Sequence, residues 1–142
     1  MMSQTVCLTR TDELLNDAAR DLMLAELATR ATDRYAAAHL AALRSAAAVL
    51  AARSGSPETW QPVCGARNGR RRPASAWDQL RAAAPELTDW ADYFAAGAGK
   101  RSAAAAGLSS AVSAEEAEIH YRDAGAFLGL VRALLGRPHA AA

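Results

Sequence analysis

Apolar residues recur at intervals of three and four through most of the chain, and nowhere alternate with period two over more than a few residues. That pattern predicts helices and no sheet. The most continuous stretch is Tyr35 to Arg53, YAAAHLAALRSAAAVLAAR, which lacks Gly and Pro and is mostly Ala and Leu, the strongest helix formers. His39, Leu43, Ala46, Val49/Leu50 and Arg53 share one face. Ala outnumbers large residues on that face, so neighbouring backbones can approach closely. A central helix with partners on several sides is predicted.

The flanking segments carry their own helical signals. Thr11 or Asp12 is the expected cap of a first helix reaching about Thr29, with Leu15, Ala18/Ala19, Leu22 and Ala25 along its stripe and Leu14, Leu24 and Leu27 widening it. A short break at Ala31–Thr32 makes the first two helices antiparallel neighbours. Ser75-Ala-Trp-Asp78 resembles a capping box that opens a short third helix, which Pro85 stops. Thr88 is expected to cap a fourth helix, from Asp89 to about Ala105, with Trp90, Phe94, Ala98 and Arg101 on one face and Gly97 and Gly99 weakening its middle. Ser113-Ala-Glu-Glu116 opens a last helix to about Leu135, with His120, Ala124, Phe127/Leu128, Val131 and Leu134/Leu135 facing inward. Gly136 and Pro138 end it.

The predicted fold is an all-α, up-and-down bundle of four long helices plus one short connecting helix. It occupies residues 11–136, between a tail at 1–10 and another at 137–142. One long loop, 54–75, is rich in Pro, Gly and Arg and is expected to be mobile or functional.

Length and composition agree with one domain: 142 residues, 51% hydrophobic and 22% charged. The net charge of +1 supplies no global field for nucleic acid or membrane, so any such binding needs a local patch. Fifteen of the sixteen basic residues are Arg, with Lys100 the exception. Cys7 and Cys64 lack CxxC spacing, so neither zinc nor a disulfide framework is indicated. The N-terminus lacks a basic segment followed by an apolar run, and Arg34, His39, Arg44 and Arg53 interrupt the most apolar stretch. A cytoplasmic protein without a membrane span is expected, with no cofactor and no metal.

Arg34 to Arg53, followed by Arg72-Pro-Ala-Ser-Ala-Trp77, Pro85-Glu-Leu-Thr-Asp-Trp90 with Phe94, and Arg122-Asp-Ala-Gly-Ala-Phe127, is similar to a small single-domain actinobacterial (SAV-like) branch of the HEPN superfamily (higher eukaryotes and prokaryotes nucleotide-binding domains). The resemblance covers about residues 12 to 136. It implies a helical bundle that often dimerises. In many HEPN proteins it also implies a metal-independent ribonuclease, in which an Arg and a His four to six residues apart meet their symmetry mates across a cleft. The His there acts as general acid or base and the Arg stabilises charge on the phosphorane. Other members lack the motif and serve as binding modules.

Two pairs have that spacing, Arg34 with His39 and Arg132 with His139. In each the residue after the Arg, Tyr35 or Ala133, departs from the family's polar preference. On an ideal helix Arg34 and His39 lie about 140° apart, so no ready-made pair forms within one chain. His120 is the further candidate. If the short third helix is only a connector, the second and last helices run parallel, and Tyr35, His39, Glu116 and His120 gather at one end of the bundle. Such a group is either a metal or acid–base site or, more commonly, a buried hydrogen-bonded network. Arg67, Arg70, Arg71 and Arg72 are the one basic concentration, suited to phosphate contact. The expectation is a non-catalytic module that forms a homodimer and binds RNA or a protein partner. The alternatives are a metal-independent endoribonuclease and an accessory subunit of a larger enzyme.

Overall fold

The computed structural model describes residues 9–54 and 75–137. They form six helices: α1 (Arg10–Leu27), α2 (Ala31–Ser54), α3 (Ala76–Ala83), α4 (Thr88–Ala96), α5 (Ala98–Ala105) and α6 (Ala114–Leu134). Single 3-10 turns at Pro85–Leu87 and Ser109–Ala111 connect the later ones, and no strand occurs among the described residues. The loop arginines 67, 70, 71 and 72, both cysteines and His139 lie outside the described residues.

Local chemistry accounts for the helix ends. Ser75 with Asp78 and Ser113 with Glu116 form reciprocal capping boxes, as the sequence pattern predicts. At α1 the cap is Thr9 paired with Asp12, two residues before the expected Thr11, and Thr11 is instead buried inside the first turn. Helix α2 likewise begins at Ala31, earlier than expected. Gly107 and Gly136 end α5 and α6 with positive φ, of 86° and 70°. Their backbone supplies the closing bonds to Ala104 O and Ala133 O.

Three sets of contacts fix the relative helix directions. Arg34 reaches the carbonyls of Ala25 and Ala28, and Arg44 pairs with Asp21, so α1 and α2 are antiparallel. Tyr121 meets Glu26, Arg132 meets the Leu15 carbonyl, and Arg137 meets Asp12, so α6 is antiparallel to α1. It follows that α2 and α6 run parallel. Helix α2 is the hub, packing against α1, α3, α5 and α6. Its Ala38, Ala41, Ala42, Ala46, Ala47, Ala48 and Val49 are completely buried, because a surface of methyl groups lets four neighbours close in at once. By length and composition alone α2 passes for a membrane span, but 67% of that stretch is buried within the bundle.

Further expectations change. Thr88 does not cap the fourth helix: Leu87 holds that position without a side-chain bond, and Thr88 Oγ1 donates to Pro85 O. Leu134, expected to face inward, is 37% exposed. The fourth helix is broken at Gly97 into α4 and α5. A Cβ there would stand 2.7 Å from Tyr35 Oη, so any larger residue at the bend would displace the Tyr35 ring. Leu24 and Leu27 do not widen the buried face of α1; they are 56% and 70% exposed, beside Met23. Among the described residues α1 packs chiefly against α2 and α6, which leaves its outer arc uncovered by them whatever residues stand there.

Candidate functional site

Parallel α2 and α6 bring their N-terminal halves to one end of the bundle. There His39 Nδ1 lies 3.1 Å from His120 Nε2, with the two rings within 6° of parallel. Tyr35, one turn before His39, stacks on His120 at a centroid distance of 4.0 Å. Trp77 from α3 and Phe94 from α4 stand edge-on to His39, and Phe94 also stands edge-on to His120. Relative exposure is 1% for His39 and 4% for His120, so both rings are closed off from solvent.

The electrostatics follow from that enclosure. Burial, then the neighbouring His120 and Arg101, push His39 down to about 3. Burial dominates at His120 as well; with Asp123 opposing and Lys100 assisting, it falls to about 4. Both imidazoles are therefore neutral near pH 7. Two neutral rings sharing one hydrogen bond must hold complementary tautomers, one nitrogen donating and the other accepting. A base this weak is far from the near-neutral value suited to proton transfer. The arrangement is suited to fixing the register of α2 on α6.

The other candidate residues are placed separately. Arg34 points away from His39: Nε donates to Ala25 O at 2.9 Å and Nη2 to Ala28 O at 2.8 Å, closing the C-terminus of α1, while Nη1 lies 3.7 Å from Glu118. Glu116 does not join the histidines. It caps Ser113 and pairs with Lys100 at 2.7 Å, near Tyr35. Arg132 is directed at the Leu15 carbonyl. Arg122 pairs with Glu118, not with the adjacent Asp123, which accepts from Tyr93 Oη. No group of three or more His, Cys, Asp or Glu side chains among the described residues is arranged to hold a metal.

Sequence reasoning missed two features. Arg101 was expected on the face of Trp90 and Phe94, yet across the Gly97 bend it lies near enough to His39 to disfavour its protonation, and its Nε is buried without a hydrogen-bond partner among the described residues. An open cavity of about 270 Å³ lies between α4 and α6, lined by Asp89, Trp90, Tyr93 and Asp123. The i, i+1, i+4 spacing of the first three was a usable signal, but the fourth comes from another helix.

No curated protein and no solved structure matches the chain. A family model described as SAV_6107-like HEPN matches residues 25–132, a span that takes in the whole of α2 to α5, both histidines and most of α6. With that match over more than half its length, and with the helical fold the family implies, the chain belongs to the SAV_6107-like HEPN family.

Proposed function

We propose that this HEPN domain is a cytoplasmic, non-catalytic binding module that self-associates through the outer face of α6. The observation that carries the first half is the separation of Arg34 from His39: the guanidinium is engaged by α1 carbonyls while the imidazole is enclosed with His120. A metal-free ribonuclease needs both groups facing a scissile phosphate.

Supporting the second half, Ile119, Leu130 and Leu134 are 46%, 40% and 37% exposed on α6, and Ala126 and Ala133 lie exposed along the same outer side. An apolar helix face with small residues at its middle is self-complementary about a two-fold axis. The loop arginines 67, 70, 71 and 72 are the segment proposed to contact phosphate when the partner is RNA; neutralising them should flatten the salt dependence of RNA binding.

The test joins light scattering to an RNA cleavage assay without metal. Wild-type protein is expected to be dimeric and inactive, and Leu130→Asp monomeric with an unchanged circular dichroism spectrum. Cleavage lost in one of the folded variants His39→Ala, His120→Ala or His139→Ala would instead establish the nuclease alternative.

A further inference from the structure

The cavity between α4 and α6 has a consistent chemical character. Asp89, Trp90 and Tyr93 line it from α4 and Asp123 from α6, around an open volume of about 270 Å³. Trp90 is half-buried, held from behind by Phe127 at 5.2 Å, and Tyr93 is 42% exposed. The walls are thus two supported aromatic rings and two carboxylates.

Two of the five described carboxylates that form no ion pair line this one cavity, the others being Glu26, Asp33 and Glu115. Neighbouring carboxylates each hold a cation: Glu86 pairs with Arg53, Asp92 with Arg81, Glu116 with Lys100 and Glu118 with Arg34 and Arg122. Neither Asp89 nor Asp123 forms an ion pair with any described residue. The position of Asp89 in the first turn of α4 suits the helix dipole, but Asp123 is in the middle of α6, where no such explanation applies. Tyr93 Oη donates to Asp123 Oδ2, which orients that carboxylate and leaves Oδ1 for another donor.

We infer that this cavity binds an organic cation, a guanidinium or ammonium group on a short alkyl arm. The charged group lies between the two carboxylates and against the ring faces, where cation–π attraction adds to the ion pairs. The alkyl arm lies along the apolar edge of Trp90. The open volume of about 270 Å³ accommodates an arginine-sized group. This inference does not rest on the function proposed above, and its test reads a different signal.

The experiment titrates the full chain, labelled with nitrogen-15, while following the Trp90 indole N–H resonance at constant ionic strength. The probes are agmatine and N-acetylarginine amide, with N-acetylcitrulline amide as the neutral isostere. Both cations are expected to shift the resonance saturably, and the citrulline compound is not. Asp89→Asn and Asp123→Asn should each weaken binding roughly two- to fivefold, as loss of one partly exposed charge contact implies. The charge-matched Asp33→Asn, far along the chain on α2, should leave it unchanged. Tighter binding of agmatine than of the capped arginine identifies a free small cation as the ligand; equal or weaker binding identifies an arginine side chain of a protein partner. No saturable shift from either cation beyond a sodium chloride control, or undiminished affinity in both Asp variants, overturns the inference.

Discussion

His39 and His120, 81 positions apart in the chain, share a single hydrogen bond of 3.1 Å between Nδ1 and Nε2 inside an aromatic enclosure. The bond joins the two parallel helices that organise the bundle. Because burial in that enclosure keeps both rings neutral, the fold is coupled to pH through this pair.

The sign follows from linkage. Unfolded, each histidine binds a proton near pH 6.5; folded, they resist protonation until about 3 and about 4. Below pH 6.5 the unfolded chain holds more protons than the folded one, so stability is fully present above that pH and is lost as pH falls toward the folded values. The loss approaches about 1.4 kcal/mol per pH unit for each histidine. Urea unfolding between pH 7 and pH 5 should show it, and a His39→Leu/His120→Leu double variant should be much flatter. Equal slopes in the two proteins would remove the pair from the account.

Replacing one member alone should be worse than replacing both. His120→Ala leaves His39 Nδ1 buried without a partner and a void beneath Tyr35, at a cost of about 2–4 kcal/mol. The urea midpoint of His120→Ala should therefore lie below that of the double leucine variant.

Gly97 and Gly99 should respond oppositely to alanine. At Gly97 the new Cβ would stand 2.7 Å from Tyr35 Oη and 3.6 Å from His120 Cε1, forcing the stacked ring to move, and about 1–3 kcal/mol of stability should be lost. At Gly99 nothing lies within 4 Å of the new atom, so the gain in helix propensity, up to about 0.8 kcal/mol, should prevail. Thermal melts of the two variants distinguish these outcomes.

Arg34 acts on the end of α1 through its guanidinium fork, which no ammonium can reproduce. Both Arg34→Ala and Arg34→Lys are expected to lower stability, the alanine variant by about 1–3 kcal/mol, with increased amide exchange near Ala25 and Ala28. Unchanged exchange there would show that the α1 terminus does not depend on this side chain.

At the half-buried Asp21–Arg44 pair, desolvation outweighs Arg44 and raises the Asp21 carboxyl above its ordinary value. Arg44→Met should cost about 1–3 kcal/mol, and adding Asp21→Asn should recover part of it, because the unpaired buried charge is then gone. Denaturant midpoints of the single and double variants provide the comparison.

The helical segments, several of their ends and most of the core positions could be read from the chain alone. Those features follow from local causes: apolar spacing along α2 and α6, the serine capping boxes at Ser75 and Ser113, and the stop at Gly136. The chain also pointed to one end of the bundle for both His39 and His120, on the condition that the short α3 is only a connector; that the two rings touch is a finding of the structure. Contacts between distant segments decided which polar groups those histidines would have as neighbours. Arg34 is five residues before His39, but the open carbonyls ending α1 engage its guanidinium instead. Glu116 is on the same helix as His120, but Lys100 and its own capping bond hold it outside the enclosure. The exposure of Leu24 and Leu27, the bend at Gly97 and the cavity at Asp123 were likewise settled by which helices were available to cover a given face. Periodicity specifies an apolar face along one segment; the neighbour that covers it, or leaves it open, depends on contacts between residues far apart in the chain.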